Sequence, residues 1–152
     1  MVKKNLGWKL LFVVYAAVML WLLFDRERSL YELDYWSQVQ QNMNLEPFHT
    51  IKLFWNVLDR EEYRLVAIIN LGGNVGMFIP MGFFLPTIWK SMRKWWKTWL
   101  ATLLIMLAVE LTQLLTLRGT FDVDDLILNL LGAAIGYCVF RWMNPAKKKK
   151  KK

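Results

Sequence analysis

One cysteine and one histidine are all that this 152-residue chain holds of either. Cys138 alone excludes an intramolecular disulfide framework and a cysteine-rich zinc site. His49 alone excludes an HExxH metal motif. The sequence has no nucleophile elbow and no phosphate-cradling glycine loop. Acidic residues number 12 against 20 Lys and Arg, for a net charge of +8. What the chain does have is apolar: 56% hydrophobic and 15% aromatic, with nine Trp, nine Phe and five Tyr. Ordinary soluble domains are about 45–50% apolar on a count that includes Gly. This composition excludes an intrinsically disordered chain, and a soluble globule made from it would leave apolar surface in water. The length suits a single domain.

The charges are segregated, and four apolar stretches lie between the charged groups. A membrane span needs about 20 mostly apolar residues. The candidates are 8–24, 65–89, 99–117 and 126–143, the second with no charge at all and the third with Glu110 inside it. Trp8, Trp89, Trp95, Trp96, Trp99 and Trp142 mark their ends, as expected for rings that settle at the headgroup level. None of the four carries the polar stripe that a helix of a soluble bundle needs. The expected fold is therefore an all-α integral membrane protein, a four-transmembrane-helix bundle. With the N-terminus inside, fourteen Lys and Arg fall on the cytoplasmic side and six outside, while no acidic residue falls inside. That bias predicts an N-in, C-in topology.

Residues 1–146 form the expected membrane domain, and 147–152 a polylysine cytoplasmic tail. The tail reads as a stop-transfer signal, with a weak attraction to anionic lipid of about 1 kcal/mol per lysine as the alternative. Lys3 and Lys4 precede the first apolar run, but no A-x-A-like site closes it, so it reads as an uncleaved anchor. No basic surface interleaves with aromatics outside the tail, which argues against nucleic acid as a partner.

The outer loop, 25–64, is long enough to expect structure in it. A short amphipathic helix is expected around 31–39, with Leu30, Tyr31, Tyr35 and Trp36 facing lipid. Pro47 interrupts any helix there, and helical spacing resumes at Ile51–Leu58. His49 reads as an interfacial polar residue in preference to a catalytic base.

Polar residues within the spans are costly and point to function. Asn70 and Asn74 share a helix face, as do Glu110 and Gln113. At about 1.5 Å per residue, the five polar residues Asn70, Asn74, Glu110, Gln113 and Asn129 all lie ~8–14 Å below the outer helix ends. Arg118, Asp122, Asp124 and Asp125 sit just above them. The expectation is a polar pocket that opens outward, with Asn70, Asn74, Gln113, Arg118, Asp122, Asp125 and Asn129 binding a ligand and Glu110 as the candidate catalytic residue. The structural alternatives are interhelical hydrogen bonding by Asn and Gln, and Asp122 as an N-cap with Asp125 at N3. A carboxylate at the depth of Glu110 must be protonated or paired, for example with Arg118. Gly72, Gly73 and Gly76, and the small-xxx-small pattern Gly132–Gly136, read as positions of close helix contact.

Three blocks, NLEPFHTI at 44–51, NVGMFIPMGFFLP at 74–86 and ELTQLLTLRGTFDVDDLILNLLGAAIGY at 110–137, resemble the VanZ-like family of small bacterial membrane proteins. The last block is the most specific. The resemblance implies a multi-pass protein of the bacterial cell membrane, linked to lowered susceptibility to teicoplanin-type antibiotics. It supplies no reaction. One expectation is a protein that binds membrane lipids, a lipid-linked cell-wall precursor or a lipoglycopeptide antibiotic at the outer leaflet. A second is an enzyme acting on such a lipid, with Glu110 as general acid or base, Arg118 on a phosphate or carboxylate and the aspartates around a divalent cation. A third is a non-catalytic scaffold. No cofactor or metal is expected.

Overall fold

The computed structural model describes residues 2–25 and 34–145 of the chain. Leu30, Tyr31, Arg26, Arg28 and the lysine tail lie outside them. Four long helices dominate: α1 (Val2–Phe24), α4 (Glu61–Ile88), α5 (Trp95–Thr116) and α6 (Val123–Met143). Each is long and apolar enough to cross a membrane. Leu10, Val13 and Val14 on α1 are exposed, as are Ile69 on α4 and Leu104 on α5. In water these apolar faces would be costly; in lipid they meet their own solvent.

The helices start and stop where local chemistry dictates. Glu61 and Glu62 occupy the first turn of α4, where the helix dipole favours negative charge. α4 continues through Pro80 and Pro86, which remove the ladder bonds to Gly76 and Gly82. It ends at Trp89, and a 3-10 turn at Lys90–Arg93 leads into α5. Leu117 adopts a left-handed conformation (φ 55°) and closes α5. Asp122 then caps α6 by accepting the amide of Asp124 at 2.8 Å, as the sequence pattern anticipated.

The first loop contains two short helices, α2 (Tyr35–Gln41) and α3 (His49–Asn56). α2 is capped by Asp34 and begins later than the pattern around 31–39 suggested. Trp36 is exposed, but Tyr35 turns its hydroxyl to the Leu115 carbonyl, at 2.9 Å. Between α2 and α3, β1 (Met43–Asn44) pairs in parallel with β2 (Phe121–Asp122). This two-residue pairing joins the first loop to the last, so both lie at one end of the bundle.

The core sits where α1, α4, α5 and α6 meet, around Met19, Phe78, Met81, Met106 and Leu126. The closest approach is between α4 and α6. A Cβ built on Gly132 would lie 2.1 Å from the Val75 carbonyl oxygen, and on Gly136 1.9 Å from that of Ile79. Gly82 is pressed in the same way against Ala133. The small-residue reading therefore holds for Gly132 and Gly136. It fails for Gly72, Gly73 and Gly76, where an added Cβ meets nothing within 4 Å.

Candidate functional site

Asp122 is the hub of the polar chemistry. Only 6% exposed, it sits at the junction of β2 and α6. One carboxylate oxygen accepts the Asp124 amide. The other accepts the Thr50 hydroxyl at 2.5 Å and the Asn44 side-chain amide at 3.2 Å. Asn44 also donates to Thr50, at 2.9 Å. The backbone N–H of Asp122 donates to the buried carboxylate of Glu110 at 3.3 Å.

Asp124, fully buried, secures the neighbouring loop. It accepts the backbone N–H of Phe48 at 2.5 Å and of Ile51 at 3.0 Å. These amides belong to the start of α3, which has no side-chain cap of its own, and Phe48 is held there in the left-handed region (φ 67°). The Asp124 carboxylate serves as the missing cap, supplied from another helix. Asp125, the third of the group, accepts the side-chain amide of Asn74 on α4.

These contacts frame a cavity of about 530 Å³ at the end of the bundle that holds both loops. Asn70 and Asn74 reach it from α4, Asp122 and Asp125 from the start of α6, and Asn44, His49 and Thr50 from the first loop. Leu53 and Phe54 of α3 complete one wall. Four of the eight residues singled out by sequence therefore meet here: Asn70, Asn74, Asp122 and Asp125. Asn70 also donates to the Val66 carbonyl of its own helix at 3.0 Å.

The other four lie elsewhere. Glu110 is buried behind Asp122, one hydrogen bond removed from the cavity. Gln113 donates to the Leu23 carbonyl at 2.7 Å, and Arg118 to the Phe24 carbonyl at 3.3 Å. Both carbonyls belong to the last turn of α1, where they have no partners within the helix. A guanidinium is favoured there by the helix dipole as well. Gln113 and Arg118 thus cap the last turn of α1. Asn129 is 2% exposed between α5 and α6, with its amide 3.6 Å from the Met106 sulfur and its carbonyl oxygen unpartnered.

Sequence reasoning missed Asn44 and Thr50 as site-forming residues, grouped Asp124 with the other aspartates without its tie to α3, and gave His49 no place in the site. The signal was in the NLEPFHTI block, which carries three of them, yet nothing local showed that this loop folds back onto α6. Among the described residues no three His, Cys, Asp or Glu side chains form a group able to hold a metal ion. Asp122 and Asp124 accept from donors of the first loop.

The VanZ/LLP1 family model matches residues 12–144, nearly all of the chain. No curated protein matches the chain, and no solved structure matches it.

Proposed function

The chain belongs to the VanZ-like family, and from that membership we propose that it is a bacterial envelope protein that binds an amphiphilic ligand at the outer leaflet and lowers susceptibility to teicoplanin-type antibiotics. The ligand is a lipid-linked cell-wall component or the lipoglycopeptide itself. One observation carries this reading: side chains from the first loop, α4 and α6 converge on a polar cavity at the end of a bundle of spanning helices. Its volume of about 530 Å³ falls within the range of ~300–1,000 Å³ usual for small-ligand sites.

The charge distribution supports an outward-facing cavity. In the sequence, the chain termini and the Lys90–Lys97 connection carry fourteen Lys and Arg, against six in the segments 25–64 and 118–125. The positive-inside bias orients the bundle N-in and C-in, with the cavity toward the outer leaflet. An enzymatic reading through Glu110 has less support, because a general acid or base must come within hydrogen-bond reach of the reacting group. Glu110 lies behind the Asp122 backbone instead.

The test is a teicoplanin susceptibility assay in a bacterium that expresses the chain. Wild type is expected to raise the inhibitory concentration over the empty vector, and Asp125→Ala or Asn74→Ala to cancel the rise at equal protein level. Unchanged tolerance in both variants would refute the cavity as the ligand site.

A further inference from the structure

A second cavity, of about 410 Å³, runs along α4 from Leu71 to Ile79 and is walled on one side by Ile51 and Trp55 of α3. Every side chain lining it is apolar. Gly72 and Gly76 give it a floor of bare backbone. Contact between helices does not account for these two glycines, since an added Cβ would meet nothing within 4 Å at either.

Two observations identify what fills this groove. The stretch Leu71–Ile79 lies ~15–27 Å along α4 from Glu61, at about 1.5 Å per residue. That places it well inside a helix of spanning length, where the surrounding medium is hydrocarbon. The groove is also contiguous with the polar cavity. α3 turns Thr50, Leu53 and Phe54 to the cavity and Ile51 and Trp55 to the groove, so one short helix is the wall between them. On α4, Asn70 and Asn74 face the cavity while Leu71 and Val75 face the groove. A polar compartment and an apolar one, side by side and sharing a wall, match the two halves of an amphiphile.

We propose that the groove seats one hydrocarbon chain of an outer-leaflet lipid whose polar part lies at the Asp122–Asp125 cavity. The inference rests on reading that cavity as the ligand site, and it makes the ligand a bilayer lipid in preference to a free glycopeptide. The bare backbone at Gly72 and Gly76 lets a methylene chain lie close against α4, and the exposed ring of Trp55 stands at the rim.

The experiment is photo-crosslinking of the full chain in vesicles of phosphatidylglycerol and phosphatidylethanolamine. The probe is phosphatidylglycerol carrying a mid-chain diazirine. Crosslinks are expected at Ile51–Trp55 and Leu71–Ile79 about tenfold above those on the exposed α1 face of Leu10, Val13 and Val14. Gly76→Leu fills the groove and is expected to lower its crosslinks about tenfold while sparing α1. Gly72→Leu does the same from the other end, so the result does not depend on one variant folding. Labelling of the groove no greater than that of α1, or undiminished by both substitutions, would overturn the proposal. Failure of the cavity reading is separable: it appears as intact teicoplanin tolerance in both Asp125→Ala and Asn74→Ala, residues that do not line the groove.

Discussion

At the scale of single residues, the carboxylates decide most. Asp122 accepts from Thr50, Asn44 and Asp124 together, so both its side-chain oxygens have donors. Thr50→Val deletes one donor and leaves a buried oxygen less satisfied, a change expected to cost about 1–3 kcal/mol in thermal or denaturant unfolding in detergent. Glu110 accepts the Asp122 amide. Glu110→Gln keeps an acceptor there, and little stability loss is expected, whereas Glu110→Leu orphans a buried N–H at a cost of about 1–3 kcal/mol. Equal stability of the Gln and Leu variants would contradict this account of Glu110. Asp34, exposed at the start of α2, has its pKa lowered by the Ser37 hydroxyl and the neighbouring amides. A depressed carboxylate contributes above its unfolded pKa, ~3.9, and its contribution is lost as pH falls through the lower folded value. The amide resonances of Trp36 and Ser37 should therefore titrate with a midpoint below that of an unperturbed Asp, and Asp34→Asn should abolish that titration.

Among the elements, glycines of one sequence type fall into two structural classes. Gly132 and Gly136 press α6 against the backbone of α4. Ala at either position forces the helices apart, with a loss of about 1–3 kcal/mol or more. Gly72 and Gly73 touch nothing that an added methyl would meet. Ala there restores helix propensity, worth up to about 1 kcal/mol. Thermal unfolding of the four variants should thus split by sign, and a uniform destabilisation would refute the distinction. α3 is an element held from outside. Its first turn is capped by Asp124 of α6, so Asp124→Ala is expected to release it while the spanning helices stay packed. A thiol reagent should then label Leu53→Cys faster in a Cys138→Ala background; an unchanged rate would show that α3 does not depend on this cap.

For the whole molecule, the pairing of β1 with β2 places residues 34–60 and 117–122 at one end, and the Lys90–Arg93 turn at the other. The charge bias predicts which end faces out. With Cys138→Ala as background, an impermeant thiol reagent applied to intact cells should label Ser37→Cys and spare Ser91→Cys. The reverse pattern would invert the topology and put the cavity on the cytoplasmic side.

The four spans were legible in the sequence because hydropathy is summed over some twenty residues and survives any tertiary detail. The helix start at Asp122 was legible too, since a cap is a contact between near neighbours in the chain. Asn70, Asn74, Asp122 and Asp125 were found by depth along the helices, but depth does not say which way a side chain points around an axis. Rotation is set by packing, and packing turned Gln113 and Arg118 to the end of α1 and Asn129 to Met106. Likewise, no local pattern shows that Thr50 meets a carboxylate 72 residues away or that Asp124 caps α3. Those contacts exist only once α4 and α6 pack at their glycines and the first loop folds over them. The sequence by itself determined how many times the chain can cross a membrane and which residues are polar at depth. Tertiary structure decided which of those residues share a cavity, because that depends on helix rotation and loop return, quantities that no single segment contains.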